Sequence, residues 1–243
     1  MRLVFSFICF LFFSFTWNQP AKAWIEFGFS GYSAFYSFES TDSFGTNIKI
    51  SSLANYGFSP ELIAYLNPDL DRLIFRTNIR TFNFANPPGT DAFVNNNALY
   101  LGGDLRYQKP IGWWAVALGF DYQQRPVASA VDATTIKLTN FNYFSVPIEV
   151  SKKLIILENN VLRAGASYYV GLNTPSLSSQ SRYGVYLRHE LRNVIRLETS
   201  MSYEVRNATT STAIKQNEAE FGLNIKMSFP GRKGTVPPPD EIE

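Results

Sequence analysis

The chain has 243 residues, 45% hydrophobic and 16% aromatic yet 17% charged, with a mean hydropathy of −0.10. That is too polar for a bundle of membrane helices and unusually aromatic for an ordinary soluble domain. Arg2 and Lys22 are the only charges in residues 1–23, so the +2 of the whole chain leaves the remainder neutral, without the basic excess that recruits nucleic acid. The sole cysteine, Cys9, falls in the same leader, which excludes disulfide and cysteine–metal chemistry from the rest, and no motif points to a cofactor.

Residues 3–15 form an apolar run behind Arg2, followed by Ala21-Lys22-Ala23, the small-x-small pattern of a secretion signal. Cleavage is expected after Ala23, so that Ala21, Ala23 and Trp24 mark the site and residues 1–23 are a signal peptide. The run is too short for a membrane span, which needs about 20 apolar residues. A lipid anchor is disfavoured because Cys9 lies inside the run, behind Phe7-Ile8, rather than at its end.

From Trp24 to Phe229 the recurring pattern is alternation with a period of two, without helical stripes. Strands are expected at 24–38, 48–66, 71–84, 98–108, 112–122, 141–153, 161–172, 182–191, 195–206 and 218–229. In the fifth, Trp114, Val116, Leu118, Phe120 and Tyr122 oppose Ala115, Ala117, Gly119 and Asp121. In the last, Leu223, Ile225, Met227 and Phe229 share a face opposite Asn224, Lys226 and Ser228. Tight turns follow at 67–70, 109–111, 158–160 and 192–194, while the intervening connections at 39–47, 85–97, 123–140, 173–181 and 207–217 are longer and polar. Short turns on one rim and long loops on the other require an even strand number, with both ends of the sheet on the short-turn side. Trp24, Tyr107, Trp113, Trp114, Phe141, Tyr143 and Phe229 lie near strand ends, where an interfacial girdle belongs.

The hairpin at Asn193 sets a register. If opposed positions sum to 386, Glu190 meets Arg196, Arg188 meets Glu198 and Arg182 meets Glu204 on the polar face, while Val185 meets Met201 and Tyr183 meets Tyr203 on the other. Around 67–70 a sum of 137 opposes Glu61 to Arg76. Arg72, Arg76 and Arg80 form a row on the third strand, with Glu61, Asp104, Arg106 and Glu149 available to neutralise it. These twelve positions, Glu61, Arg72, Arg76, Arg80, Asp104, Arg106, Arg182, Arg188, Glu190, Arg196, Glu198 and Glu204, are the expected interior charge network.

A signal peptide, about ten two-faced strands, alternating turn lengths and a last strand ending in an aromatic together resemble bacterial outer-membrane β-barrel proteins. The resemblance implies an all-β, antiparallel, up-and-down transmembrane barrel of about ten strands, with eight or twelve as alternatives, over residues 24–229. It also implies a bacterial outer-membrane location with both termini periplasmic. Leu223, Ile225, Met227 and Phe229 look like the C-terminal signal read by the barrel-assembly machinery. Pro230 to Glu243, with Pro237-Pro238-Pro239, cannot continue a strand and reads as a flexible periplasmic tail.

Three functions fit this frame. The first is a non-enzymatic envelope protein embedded in outer-membrane lipid, whose loops at 85–97 and 123–140 contact an extracellular ligand. The second is a narrow pore for small ions or solutes, with the Arg72-Arg76-Arg80 row setting selectivity, and the third is a secreted soluble β-sandwich. Ten-stranded outer-membrane proteases carry an Asp-His couple near the outward rim, whereas the only histidine here, His189, is expected at the short-turn end facing lipid. Outer-membrane lipid hydrolases pair a lipid-facing histidine with a serine two residues along, but the corresponding neighbours here are Leu187 and Leu191.

Overall fold

The computed structural model describes residues 24–42, 45–52, 55–66, 71–84, 92–93, 97–131, 135–157, 160–192 and 195–230. The expected signal peptide with Ala21 and Ala23, and the expected tail beyond Pro230, lie outside the described residues. The described elements are β1 (Trp24–Thr41), β2 (Asn47–Ser51), β3 (Asn55–Tyr65), β4 (Arg72–Asn83), β5 (Ala92–Phe93), β6 (Asn97–Ile111), β7 (Trp114–Ala130), β8 (Thr135–Leu157), β9 (Asn160–Leu172), β10 (Leu177–Arg192), β11 (Arg196–Thr210) and β12 (Lys215–Pro230).

Ten of these strands, all but β2 and β5, make a closed antiparallel barrel in which each pairs with its neighbour in sequence. The seam is the β1–β12 ladder, which runs unbroken from Glu26↔Pro230 to Thr41↔Lys215. On its other edge β1 pairs with β3 as far as Ala34, and from Ser37 upward with β2, so β2 extends the wall above β3. β5 adds a short parallel pairing to β8. Glu26 lies opposite Pro230 and Trp24 opposite Tyr65, which places both ends of the barrel on the rim of the tight turns.

Alternation decides which side chains face in. Along β1, Glu26, Ser30, Tyr36 and Ser40 are buried, while Ile25, Phe27, Phe29 and Phe35 are exposed. Along β12, Glu218, Glu220, Lys226 and Ser228 are buried while Phe221, Leu223, Ile225, Met227 and Phe229 face out. The exterior is therefore greasy and the lumen charged, the inverse of a soluble barrel and the arrangement a bilayer requires. Aromatics ring the exterior at two heights. Tyr107, Trp113, Trp114 and Phe229 are exposed at the tight-turn rim, and the paired rings Tyr203↔Phe221, Phe35↔Phe221 and Tyr122↔Phe144 lie nearer the other. Phe141 and Tyr143 depart from the expected girdle: Tyr143 is 1% exposed, and Phe141 packs against the cluster it forms with Leu177 and Ala208.

Other expectations change because strands continue past the bilayer-facing band. The single strand expected over 48–66 is two, β2 and β3. The loop expected at 123–140 is mostly a hairpin, with β7 running to Ala130 and β8 starting at Thr135. The stretch 207–217 is likewise strand up to Thr210 and again from Lys215, and β10 begins at Leu177 inside the expected 173–181 connection. Most of the 85–97 stretch lies outside the described residues. Polar composition reads as loop in a sequence, yet a polar hairpin above a membrane wall keeps its main chain paired without burying an apolar face.

The β3–β4 register is the expected one, with Glu61 opposite Arg76. The β10–β11 register is shifted by two residues: Glu190 lies opposite Glu198, Arg188 opposite Ser200 and Leu187 opposite Met201. A two-residue slip preserves every inward and outward assignment, so face patterning cannot detect it. Arginine reaches its acid along the diagonal, and Arg188 Nε still lies 3.1 Å from Glu198. Cysteines at Leu187 and Met201 should cross-link on oxidation in the assembled barrel, whereas Val185→Cys with Met201→Cys should stay reduced; the opposite pattern would restore the other register.

Gly165 on β9 shows how side chains interlock in the lumen. A Cβ there would overlap the Tyr186 ring, whose hydroxyl donates to Glu149 at 2.6 Å. Gly165→Val is therefore expected to lower unfolding stability by about 1–3 kcal/mol through overpacking, measured by urea titration of the refolded barrel.

Candidate functional site

The lumen is stacked in layers, and the strand period puts each layer's members on alternate residues of several strands. Nearest the tight-turn rim, Ile63, Tyr65 and Ile74 of β3 and β4 form a small apolar cluster. Level with it, opposite Ile63, the Glu26 carboxylate is fully buried: Tyr65 donates to it at 3.1 Å, Arg196 at 3.2 Å, and Ser228 donates to its other oxygen.

The next layers are a continuous charge lattice. Glu61 accepts from Arg76 at 2.5 Å and from Lys226, which also faces Glu198 at 3.9 Å. Arg76 lies 3.8 Å from Asp104, Asp104 lies 3.3 Å from Arg106, and Arg106 reaches Glu149 at 2.5 Å. Arg163 faces Glu190 at 3.9 Å. Higher up, Arg182 sits 3.2 Å from Asp121, stacks with its guanidinium carbon 3.2 Å from the Tyr169 ring centre, and faces Glu204 at 3.9 Å. Arg206 donates to Gln123 at 2.7 Å and faces Glu218 at 3.8 Å. Arg80 and Arg125 converge on Glu220 at 3.0 and 2.7 Å.

All twelve positions of the expected network lie on inward faces, but not in all the expected pairs. Arg196 is bound to Glu26 rather than Glu190, and Arg72 donates to Gln108 at 2.8 Å. Glu26, Asp121, Arg125, Arg163, Arg206, Glu218, Glu220 and Lys226 complete the lattice and were not singled out from sequence. Parity alone would have placed Glu218, Glu220 and Lys226 inside, since they share the polar face of β12. Arg125 and Arg206 could not be found that way, because they sit at or beyond the strand ends read from the sequence.

At the outward end the lattice gives way to an apolar cover. Tyr36, Phe38, Ile48, Ile50, Phe82, Phe84, Tyr100, Ala128 and Ile136 pack as one buried cluster from the upper parts of β1, β2, β4, β6, β7 and β8. Phe82 meets Tyr100 edge to face at 4.7 Å. Beside Ile63 and Ile74, a gap also lined by Glu61, Arg72, Arg76, Arg188 and Glu198 has room for about one water. Cation and acid alternate along the lattice, so its buried charges lie beside opposite ones.

His189 faces outward beside the tight-turn rim, its Nε2 3.2 Å from the Asn160 side-chain oxygen and its ladder partners Thr199 and Leu162. Among the described residues, no three histidine, cysteine or acidic side chains come together as a metal site. Leu223, Ile225, Met227 and Phe229 form the outward face of β12, and Phe229 pairs with Phe27 at the seam.

No family model matches the chain, and no curated protein matches it. Solved structures do resemble it in overall course. The outer membrane protease OmpT from Escherichia coli is 9% identical with a TM-score of 0.45, over 85% of this chain and 96% of that one. The translocator domain of autotransporter NalP from Neisseria meningitidis is 11% identical with a TM-score of 0.43, over 92% and 94%. An outer membrane channel from Pseudomonas putida is 9% identical with a TM-score of 0.42, over 88% and 97%. These likenesses carry no activity over to this chain.

Replacing Glu61 tests the lattice. Glu61→Gln leaves Arg76 and Lys226 without their shared acid and is expected to cost about 3–5 kcal/mol of unfolding free energy. Lys226→Met in the same chain should recover part of the loss in a double-mutant cycle followed by tryptophan fluorescence.

Proposed function

We propose that this chain is an integral protein of the bacterial outer membrane that conducts no solute and catalyses no reaction. Its barrel serves as a rigid mount for the outward hairpins that meet the surroundings. The observation that carries this reading is the filling of the lumen: a lattice of paired charges runs up its inside and a buried aromatic cluster lies at its outward end. A pore needs a continuous wetted route, whereas a mount needs stiffness, and charges tied across strands supply stiffness.

Location follows from chemistry. A closed barrel with an apolar exterior is stable only in a bilayer, and such barrels belong to outer membranes. We take the tight-turn rim and both termini as periplasmic and the tall hairpins β1–β2 and β7–β8 as outward, the arrangement of outer-membrane barrels, whose short turns face the periplasm and whose longer loops face out. The outward face of β12 ending at Phe229 then serves as the signal for barrel assembly, and the stretches 85–97 and 123–140 as the contact surface for an extracellular ligand.

Membrane fractionation should leave the protein in the outer membrane, with unboiled and boiled forms migrating differently on a gel. In planar bilayers the purified barrel should give no discrete conductance steps. Steps whose ion selectivity inverts with Arg76→Glu would overturn the closed-lumen reading in favour of a narrow pore, and a soluble protein without a gel shift would overturn the membrane placement itself.

A further inference from the structure

The outer surface of the wall is almost free of charge. Toward the tight-turn rim its exposed positions are filled by residues such as Ile25, Phe27, Phe75, Leu187, Ile225 and Met227. Among the described outward-facing residues of that half, only Lys109 on β6 and Lys152 on β8 carry a fixed charge, and both are exposed.

The two lysines flank one strand. Lys109 lies opposite Val116 of β7, and Lys152 lies opposite Trp114 of the same strand. With strands about 4.8 Å apart and residues about 3.4 Å apart, their Cα atoms are separated by about 12 Å across the outward face. Both side chains can therefore meet over Trp114 and Val116. Lys152 already leans that way, its ammonium 5.2 Å from the centre of the Trp114 ring. The surrounding rings are tied to the wall: the Lys153 amide donates to the Trp113 carbonyl at 2.8 Å, and the Tyr107 hydroxyl donates to Asp71 at 2.6 Å.

No acid answers these two ammonium groups. Asp71, at the end of the neighbouring strand β4, is buried and taken up by Tyr107, and neither lysine has an ion-pair partner among the described residues. A cation on a lipid-facing wall is costly at the bilayer centre and nearly free at its edge, where it reaches a head group. Tyr107, Trp113 and Trp114 mark that edge. Next to them Val116, Leu118, Ile148 and Val150 offer acyl chains an exposed apolar surface. Both lysines stand on open surface, so a head group needs no cavity. What touches this wall is lipid, and the lipid group that complements two cations without an acid is a phosphate. A zwitterionic head brings an ammonium of its own, which the patch cannot pair, so a head of net negative charge fits better.

We propose that this patch on β6–β8 is a binding site for an anionic glycerophospholipid of the periplasmic leaflet, its phosphate held between Lys109 and Lys152 beside Trp114 and its acyl chains along Val116, Leu118, Ile148 and Val150. The site rests on the membrane placement and orientation proposed above but not on the closed lumen.

The test uses the mature barrel carrying Trp24→Phe, which leaves Trp113 and Trp114 as its tryptophans, in phosphatidylcholine bilayers. Quenching by dibrominated phosphatidylglycerol is compared with quenching by dibrominated phosphatidylcholine. The anionic lipid should bind beside the two rings at least about fivefold more tightly. Lys109→Gln with Lys152→Gln should bring the two lipids to equal binding, and Lys109→Arg with Lys152→Arg should keep the preference. Equal binding to the unsubstituted lysines, or a preference that survives both glutamines, would overturn the site. Tighter competition by lipid A than by phosphatidylglycerol would overturn the periplasmic source and, with it, the orientation. Heat-modifiability retained in each variant separates failure of the site from failure of the barrel.

Discussion

A strand in hydrocarbon has no water to satisfy its main chain, so a membrane sheet is stable only when its first and last strands find each other. In this protein that requirement falls on the β1–β12 ladder, which pairs every residue from Glu26 to Thr41 with one from Lys215 to Pro230. Everything else follows from closure. Once the sheet is a cylinder, one face of every strand must meet lipid and the other must fill the lumen, and the strict alternation of Ile25, Phe27 and Phe29 with Glu26, Gly28 and Ser30 is the local form of that rule.

A lumen enclosed by ten strands is lined here by residues too polar for a dry core. The molecule resolves this by alternating cation and acid, so that Glu61, Arg76, Asp104, Arg106 and Glu149 form a chain of contacts reaching from β3 to β8. Removing any one link strands a buried charge, so the members of the chain depend on one another across strands. Small residues make this possible. Gly165 admits the Tyr186 ring, and Gly222 lies against Tyr32, so aromatic side chains lie flat among the charges.

Above the bilayer band the constraint relaxes, and the structure changes character. The strands no longer need an apolar exterior, so they fold inward around Tyr36, Phe82 and Tyr100 and cover the mouth. The same inward lean of β7, fixed by Gln216 and Ser40, parts it from β6.

The sequence by itself determined the class of fold, the approximate strand count and the inward or outward direction of most side chains within the strands it delimited, because a period of two is a local property that a bilayer enforces residue by residue. It also paired Glu61 with Arg76 correctly, from the opposite charges that a sum of 137 brings face to face. Only the tertiary structure decided the two-residue slip at β10–β11, the partners Glu26 and Glu220, and the inward course of β7. The slip is invisible to parity. Glu26 and Arg196, or Arg125 and Glu220, lie far apart in the chain and meet only after closure brings their strands to one side of the lumen. Polar stretches such as 123–140 look alike as loop or as hairpin until a neighbour from across the barrel supplies the hydrogen bonds that fix their path.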